Sequence, residues 1–287
     1  MSTRGKLNLK KYYPFSENYT TIENYKIHYL EVGSTTDPTI LFLHGNPTWS
    51  FLYRNIIAHL KDDFHCIALD YLGFGLSEQP ANFDYLPQSQ IRIVTKFIKN
   101  LNLNSFSIMI HDWGGPIGLA VAEQHPELIK RLIITNTWAW PVQKMRLHFF
   151  SWLLSQKLSE KLILKYHAFV NYIMPCGVIN NRKQFKEKLL PFYRISAPKP
   201  TYVFPRQING SQKFLSKVEA NLDRLKSKPT LLIWGKWDPM FGQQEINKFK
   251  ANLTPEQIIK CSAGHYLMED KPQKISSIIK DFFVNYN

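Results

Sequence analysis

Residues 110–118 read IHDWGGPIG. An apolar run ends at Ile110, two glycines follow within five residues, and a helical pattern opens near Pro116. A strand, a sharp turn and a helix in that order raise the apex residue above the sheet as a nucleophile. Gly114 and Gly115 relieve crowding behind such a turn. The apex here is Asp112, with Trp113 next to it. A hydroxyl nucleophile suits an acyl carbon. A carboxylate attacks an sp3 carbon from behind, displaces its leaving group, and ends as an ester with the substrate carbon. The helix N-terminus favours negative charge, so Asp112 is expected to stay ionised. Taken alone, an Asp before a helix is as easily a cap.

Three other segments change that balance. WGKWDPMFG (234–242) follows an apolar run and delivers Asp238, and SAGHYLMED (262–270) follows the next run and delivers His265. LHGNPTWSFLYR (43–54) follows an earlier run and places Asn46 in a loop, with its side-chain amide to spare; His44 reads as structural. Nucleophile, acid and histidine, each just past a strand end, follow the chain order of the α/β-hydrolase fold.

The elements that must position these residues are legible as well. YTTIENYKIHYLEVG (19–33) reads as a hairpin about Glu23-Asn24. TILFLHG, FHCIALD, FSIMIHD, RLIITNT, TLLIWG and the weaker EQIIKCSAG are short apolar runs. Runs without alternation suit strands buried on both faces. Helical patterns over 90–101, 116–127 and 272–286 lie among them. The expectation is an α/β fold, a mostly parallel sheet with helices on both sides. The rhythm breaks at about 138, where four helical, aromatic-rich pieces follow without a strand. The expected division is a core (1–137), a helical cap (138–221) and a second core part (222–287). Inserted between core strands, the cap would roof the C-terminal sheet edge, where open α/β sheets bind ligands.

With these motifs in view, the sequence resembles haloalkane dehalogenases and their close α/β-hydrolase relatives over nearly its whole length. The carrying residues are HGNPTWSFLYR, DYLGFGLSEQP, HDWGGPIG, NTWAWP, VFPR, WGKWDP and AGHYLMED. The resemblance implies that Asp112 is the nucleophile and that Trp113 and Asn46 hold the departing halide. Some branches of the family take the triad acid after an earlier strand. That place here is Asn136, so Asp238 is the acid expected. HGN combined with a late Asp resembles the third dehalogenase subgroup, which is itself similar to the β-lactone decarboxylases of bacterial olefin synthesis.

The residues fit a two-step reaction. Asp112 forms an alkyl ester, and water activated by His265 hydrolyses it. Asp238 orients His265 and stabilises its charged form. Attack on the Asp112 carbonyl puts the oxyanion on the enzyme, within reach of the Trp113 and Asn46 backbone N–H groups; one such donor is worth about 3–4 kcal/mol. Indole and amide N–H groups can hold a halide without permanent charge. Trp138, Phe169 and Phe204 are candidate apolar lining. β-Lactone decarboxylation is the alternative, using the same Asp112 and His265. Epoxide hydrolysis comes third, with Tyr166, Tyr172, Tyr193 and Tyr202 as candidate cap acids; Asn46 argues against it.

The chain has 36 Lys+Arg against 22 Asp+Glu, a formal net charge of +14. The lysines are dispersed, with no basic helix interleaved with stacking aromatics, so nucleic-acid binding is not expected. The expected partners are a small apolar substrate and, at most, a weak membrane or lipid association; under the β-lactone alternative the basic, amphipathic segment 146–174 would suit a lipid-like substrate. The opening stretch (1–19) lacks an apolar h-region, so no signal peptide is read. Cys66, Cys176 and Cys261 are odd in number and widely spaced, which points to free thiols and a cytoplasmic location. No cofactor or metal is called for.

Overall fold

The computed structural model describes residues 8–180 and 182–286. Of the opening stretch read without an apolar segment, residues 1–7 lie outside the described residues. Eight strands form one sheet: β1 (Asn18–Ile22), β2 (Tyr25–Val32), β3 (Thr39–Leu43), β4 (His65–Leu69), β5 (Phe106–Asp112), β6 (Ile129–Thr137), β7 (Thr230–Gly235) and β8 (Gln257–Cys261). Their order is β1-β2-β4-β3-β5-β6-β7-β8. β2 runs antiparallel to β1 and β4, and all other pairs are parallel. The β1–β2 turn carries positive φ at both Glu23 (51°) and Asn24 (67°), which matches strand twist in a two-residue hairpin.

Burial explains which runs were easy to read. Every residue of β4, β5 and β7 is buried, as a parallel strand covered by helices on both faces requires. β8 lies at the sheet edge and alternates exposed with half-buried residues, which is why its apolar signal is weak. Helices Pro87–Asn100, Gly114–Gln124 and Pro272–Asn285 fall where periodicity placed them. Arg54–Leu60 and Gln243–Leu253 are further helices that the sequence reading did not single out.

Between β6 and β7 the described residues contain no strand. Helices Met145–Leu154, Lys157–Tyr166, Pro198–Gly210 and Gln212–Asn221 are joined by shorter turns, two of them π-helical, at Phe169–Ile173 and Phe185–Leu189. Backbone and carboxylate bonds tie this segment to the loop after β8. The Tyr266 N–H donates to the Gly177 carbonyl (3.1 Å). The Asp270 carboxylate accepts from the N–H groups of Gly264 (2.7 Å) and Asn180 (2.7 Å). Among the described residues no helix is long and apolar enough to cross a membrane.

Candidate active site

Asp112 closes β5 with φ at 51°, in the left-handed region that a residue with a Cβ rarely adopts. Such a conformation persists only where surrounding contacts impose it. The Thr137 hydroxyl donates to the Asp112 carbonyl (2.5 Å), and the Asn46 N–H donates to Asp112 Oδ1 (2.8 Å). Two glycines make room. A Cβ at Gly45 would lie 2.3 Å from Asp112 Oδ1, and one at Gly115 would lie 1.8 Å from Thr137 Oγ1. Crowding by other strands, rather than by the turn alone, therefore demands small residues here.

The structure brings the three chain-distant groups together. His265 Nε2 lies 3.7 Å from Asp112 Oδ2, and His265 Nδ1 lies 2.9 Å from Asp238 Oδ2. The Asp238 side chain is fully buried, and its Oδ1 accepts the Met240 N–H (2.7 Å). Asn136, at the end of β6, is also in the left-handed region (φ 35°). Its amide nitrogen donates to Asp238 Oδ2 (2.7 Å) and to the Gly264 carbonyl (3.1 Å), while its oxygen accepts the Gly235 N–H (2.8 Å). Asn136 thus joins the ends of β6 and β7 to the His265 loop. The sequence places Asn136 only as a non-acid at a strand end, and its bridging role shows in these bonds.

Burial sets the protonation of the site. It pushes the Asp112 carboxyl up to about 6, against the charge of His265 and the N–H groups of Trp113 and Asn46, which pull it down. The expectation that Asp112 stays ionised needs correcting in degree: desolvation outweighs the His265 charge and the bonded amides together. Burial also works against charge on His265, but the Asp238 carboxylate and its hydrogen bond, followed by Asp112, raise the imidazole above its ordinary value. His111 packs its ring 4.7 Å from that of His265. Burial, then the neighbouring His265 charge, holds it well below the usual range. Neutral His111 donates from Nδ1 to the Thr135 carbonyl (3.2 Å), which leaves Nε2 buried without a partner among the described residues. His44 is structural as read: its Nδ1 meets the Gly45 carbonyl, its Nε2 accepts the Tyr71 N–H, and burial lowers it to about 4.

Asn46, Asp112, Trp113 and His265 all line one cavity of about 230 Å³ with a mostly apolar wall. Trp138 and Phe169 line it too; Trp138 stacks on Phe241 and meets Trp113 edge-on. Phe204 does not. It packs behind Trp113 (5.3 Å, 78°), and the cavity wall on its helix is made by Pro205 and Ile208. None of the four candidate tyrosines lines the cavity: Tyr166 and Tyr172 are exposed, and Tyr193 bonds Glu269. Tyr266, which sequence reading missed, does line it and stands edge-on to His265 (4.7 Å). Among the described residues, no hydrogen bond engages Trp113 Nε1 or Asn46 Nδ2, and the Asn46 Oδ1 is buried without a partner. Two N–H donors at the wall of an apolar cavity, beside a carboxylate, can hold a small anion released there.

Comparison with known proteins agrees with this geometry. A family model described as alpha/beta hydrolase fold matches residues 38–272. The chain is 35% identical to haloalkane dehalogenase 2 of Mycobacterium tuberculosis over 279 residues, covering 94% of this chain and 96% of that protein. It is 30% identical to the cis-3-alkyl-4-alkyloxetan-2-one decarboxylase of Shewanella oneidensis, covering 94% and 88%. Among solved structures, the haloalkane dehalogenase DbeA from Bradyrhizobium elkani superposes with a TM-score of 0.85 at 25% identity, covering 95% and 98%.

Proposed function

Because the chain belongs to the alpha/beta hydrolase fold family and is a haloalkane dehalogenase-like hydrolase, we propose that it cleaves carbon–halogen bonds through a covalent ester at Asp112. In the first step Asp112 Oδ2 attacks the halogen-bearing carbon; a C–O bond forms as the C–halogen bond breaks, and the halide leaves with the bonding pair. Trp113 Nε1 and Asn46 Nδ2 take up that halide. In the second step a water attacks the ester carbonyl and passes its proton to His265 Nε2. The negative charge then rests on the Asp112 carbonyl oxygen, facing the N–H groups of Asn46 and Trp113. Collapse breaks the bond between the carbonyl carbon and the alkyl oxygen; that oxygen leaves as the alcohol with the proton held by His265, and the Asp112 carboxyl left behind loses the second proton of the water, so the net products are alcohol, halide and a proton.

The observation that carries this reading is the relay Asp112–His265–Asp238, at 3.7 and 2.9 Å, opening on an apolar cavity. Electrostatics suit the sequence of steps. While Asp112 is ionised it favours charge on His265. Esterification removes that charge, so His265 becomes more readily neutral just when a base is needed. The helices of 138–221 act in this reading as a roof that excludes bulk water and leaves fixed donors to stabilise the anion. A cytoplasmic location belongs to the same reading, supported by three unpaired thiols.

A His265→Phe variant tests the mechanism. Attack stays possible and hydrolysis loses its base, so intact-mass analysis after treatment with a bromoalkane should show one added alkyl group. An unmodified mass in a folded variant rejects the proposal. β-Lactone decarboxylation uses the same two side chains, and parallel assays with dibromoethane and a cis-β-lactone separate the two substrates.

A further inference from the structure

Of the 13 large apolar side chains exposed among the described residues, ten lie between Met145 and Ile179. Helix Met145–Leu154 buries Leu147, Ser151 and Leu154 on its inner face. Its outer face carries Met145, Phe149, Trp152 and Leu153, with Trp152 54% and Phe149 60% exposed. The helix thus carries apolar side chains on its outer as well as its inner face, and an apolar helix face is ordinarily enclosed; the outer one is open to solvent. The next helix, Lys157–Tyr166, continues the surface. Leu158, Leu162 and Tyr166 form one exposed row at helical spacing, and Lys157, Lys161 and Lys165 form the row beside it. None of these three lysines makes an ion pair among the described residues. Across 144–180 there are five Lys+Arg and a single acidic residue, Glu160.

The same turns line the cavity on their other side. Phe150 and Ile173 belong to its wall, while their chain neighbours Phe149 and Tyr172 point outward. Patch and cavity are therefore two sides of one thin helical layer, resting on a small separate core of Leu154, Ile163, Phe169 and Tyr202.

We infer that the outer faces of Met145–Leu154 and Lys157–Tyr166 form a docking surface for an anionic lipid bilayer. An apolar ridge flanked by unpaired lysines matches the boundary between acyl chains and acidic headgroups. A protein partner with an apolar face would account for the aromatics but leave the lysine row unmatched. Docked in this way, the layer sets the cavity wall against the membrane, where apolar substrates concentrate. The surface does not depend on the chemistry assigned to Asp112.

The test is co-sedimentation of the full chain with phosphatidylglycerol–phosphatidylcholine vesicles and with pure phosphatidylcholine vesicles. Binding to the acidic vesicles is expected, with a blue shift of Trp152 emission that Trp152→Phe removes. The triple variant Lys157→Glu, Lys161→Glu, Lys165→Glu should weaken binding about a hundredfold or more, at about fivefold per lysine near the surface. A control triple, Lys61→Glu, Lys226→Glu, Lys250→Glu, matches the charge change away from the patch and should retain most of the binding. Trp152→Ser with Leu158→Ser should weaken binding by at least about tenfold without altering turnover of a short haloalkane. Equal loss in both charge triples would reduce the effect to net charge and overturn the inference. So would a parent that ignores vesicles, or one that forms oligomers that Trp152→Ser with Leu158→Ser disperses, since the occupant would then be a second copy of the chain.

Discussion

Titration of Asp112 offers the sharpest check on the proposed chemistry. Only the carboxylate attacks carbon, and burial has pushed its pKa up to about 6. About nine-tenths of the enzyme is then reactive at pH 7 and about one-tenth at pH 5, a tenfold fall in the alkylation rate. The sign follows from the raised value: activity is present above the pKa and is lost as pH drops through it. A carboxyl at its ordinary value near 4 would stay almost fully ionised over that range and show little change. His265 sharpens the test, because its charge is among the influences that lower Asp112. In His265→Phe that help disappears, so the midpoint should move upward from about 6. Rapid-quench measurement of the bromide burst in the parent, and of alkyl-enzyme mass in the variant, gives the first step alone between pH 5 and 8. An alkylation rate flat across that range, or a midpoint that falls in the variant, refutes the electrostatic account of the site.

Asn136→Ala removes the amide that holds Asp238 Oδ2 at 2.7 Å while leaving the three catalytic candidates in place. A hydrogen bond to a charged group is worth about 1.5–3 kcal/mol. The ester hydrolysis step should therefore slow by about ten- to a hundredfold with alkylation little changed; accumulation of alkyl-enzyme in the steady state reads this directly, and equal slowing of both steps would assign Asn136 to the fold alone. Arg54 pairs twice with buried Glu269 (2.6 and 2.8 Å), and Tyr193 also donates to Glu269. Arg54→Met strands a buried carboxylate, an effect of about 3–5 kcal/mol, so thermal denaturation should show a clear fall in Tm; an unchanged Tm would mean that Glu269 finds another partner.

What could be read from the chain and what could not divide along a physical line. Strands buried on both faces announce themselves as unbroken apolar runs, and the residue after each run is then placed at the sheet edge by geometry alone. That is how Asp112, Asp238 and His265 could be aligned from sequence. The Asn136 amide was invisible for the opposite reason: its role lies in bonds to β7 and the β8 loop, and nothing in TNT distinguishes a bridging amide from a strand-end cap. Phe204 illustrates a finer limit. Its helix contains Pro205, which removes a backbone donor, and it presents Pro205 and Ile208 to the cavity while Phe204 turns towards Trp113. One residue step on a helix is about 100° of rotation, so helical spacing identifies the element that lines a cavity more readily than the side chain that does. Tyr266 follows His265 directly and was passed over for the same reason, as its direction depends on the loop rather than on any period.

Cavity size bears on which of the two related activities the site favours. At about 230 Å³ the cavity is somewhat smaller than sites for drug-sized ligands, which run from about 300 to 1,000 Å³. Such a space suits the short haloalkane of the proposed reaction, whose halogen would meet Trp113 and Asn46 beside Asp112. A β-lactone bearing two long alkyl chains is larger and would have to extend towards solvent, where the wall includes the exposed Cys176 and Pro239. The catalytic groups cannot discriminate between these substrates, since both offer a carbon to the same carboxylate. Discrimination would fall instead to the helical layer of 145–179, which contributes Phe150, Phe169 and Ile173 to the cavity wall.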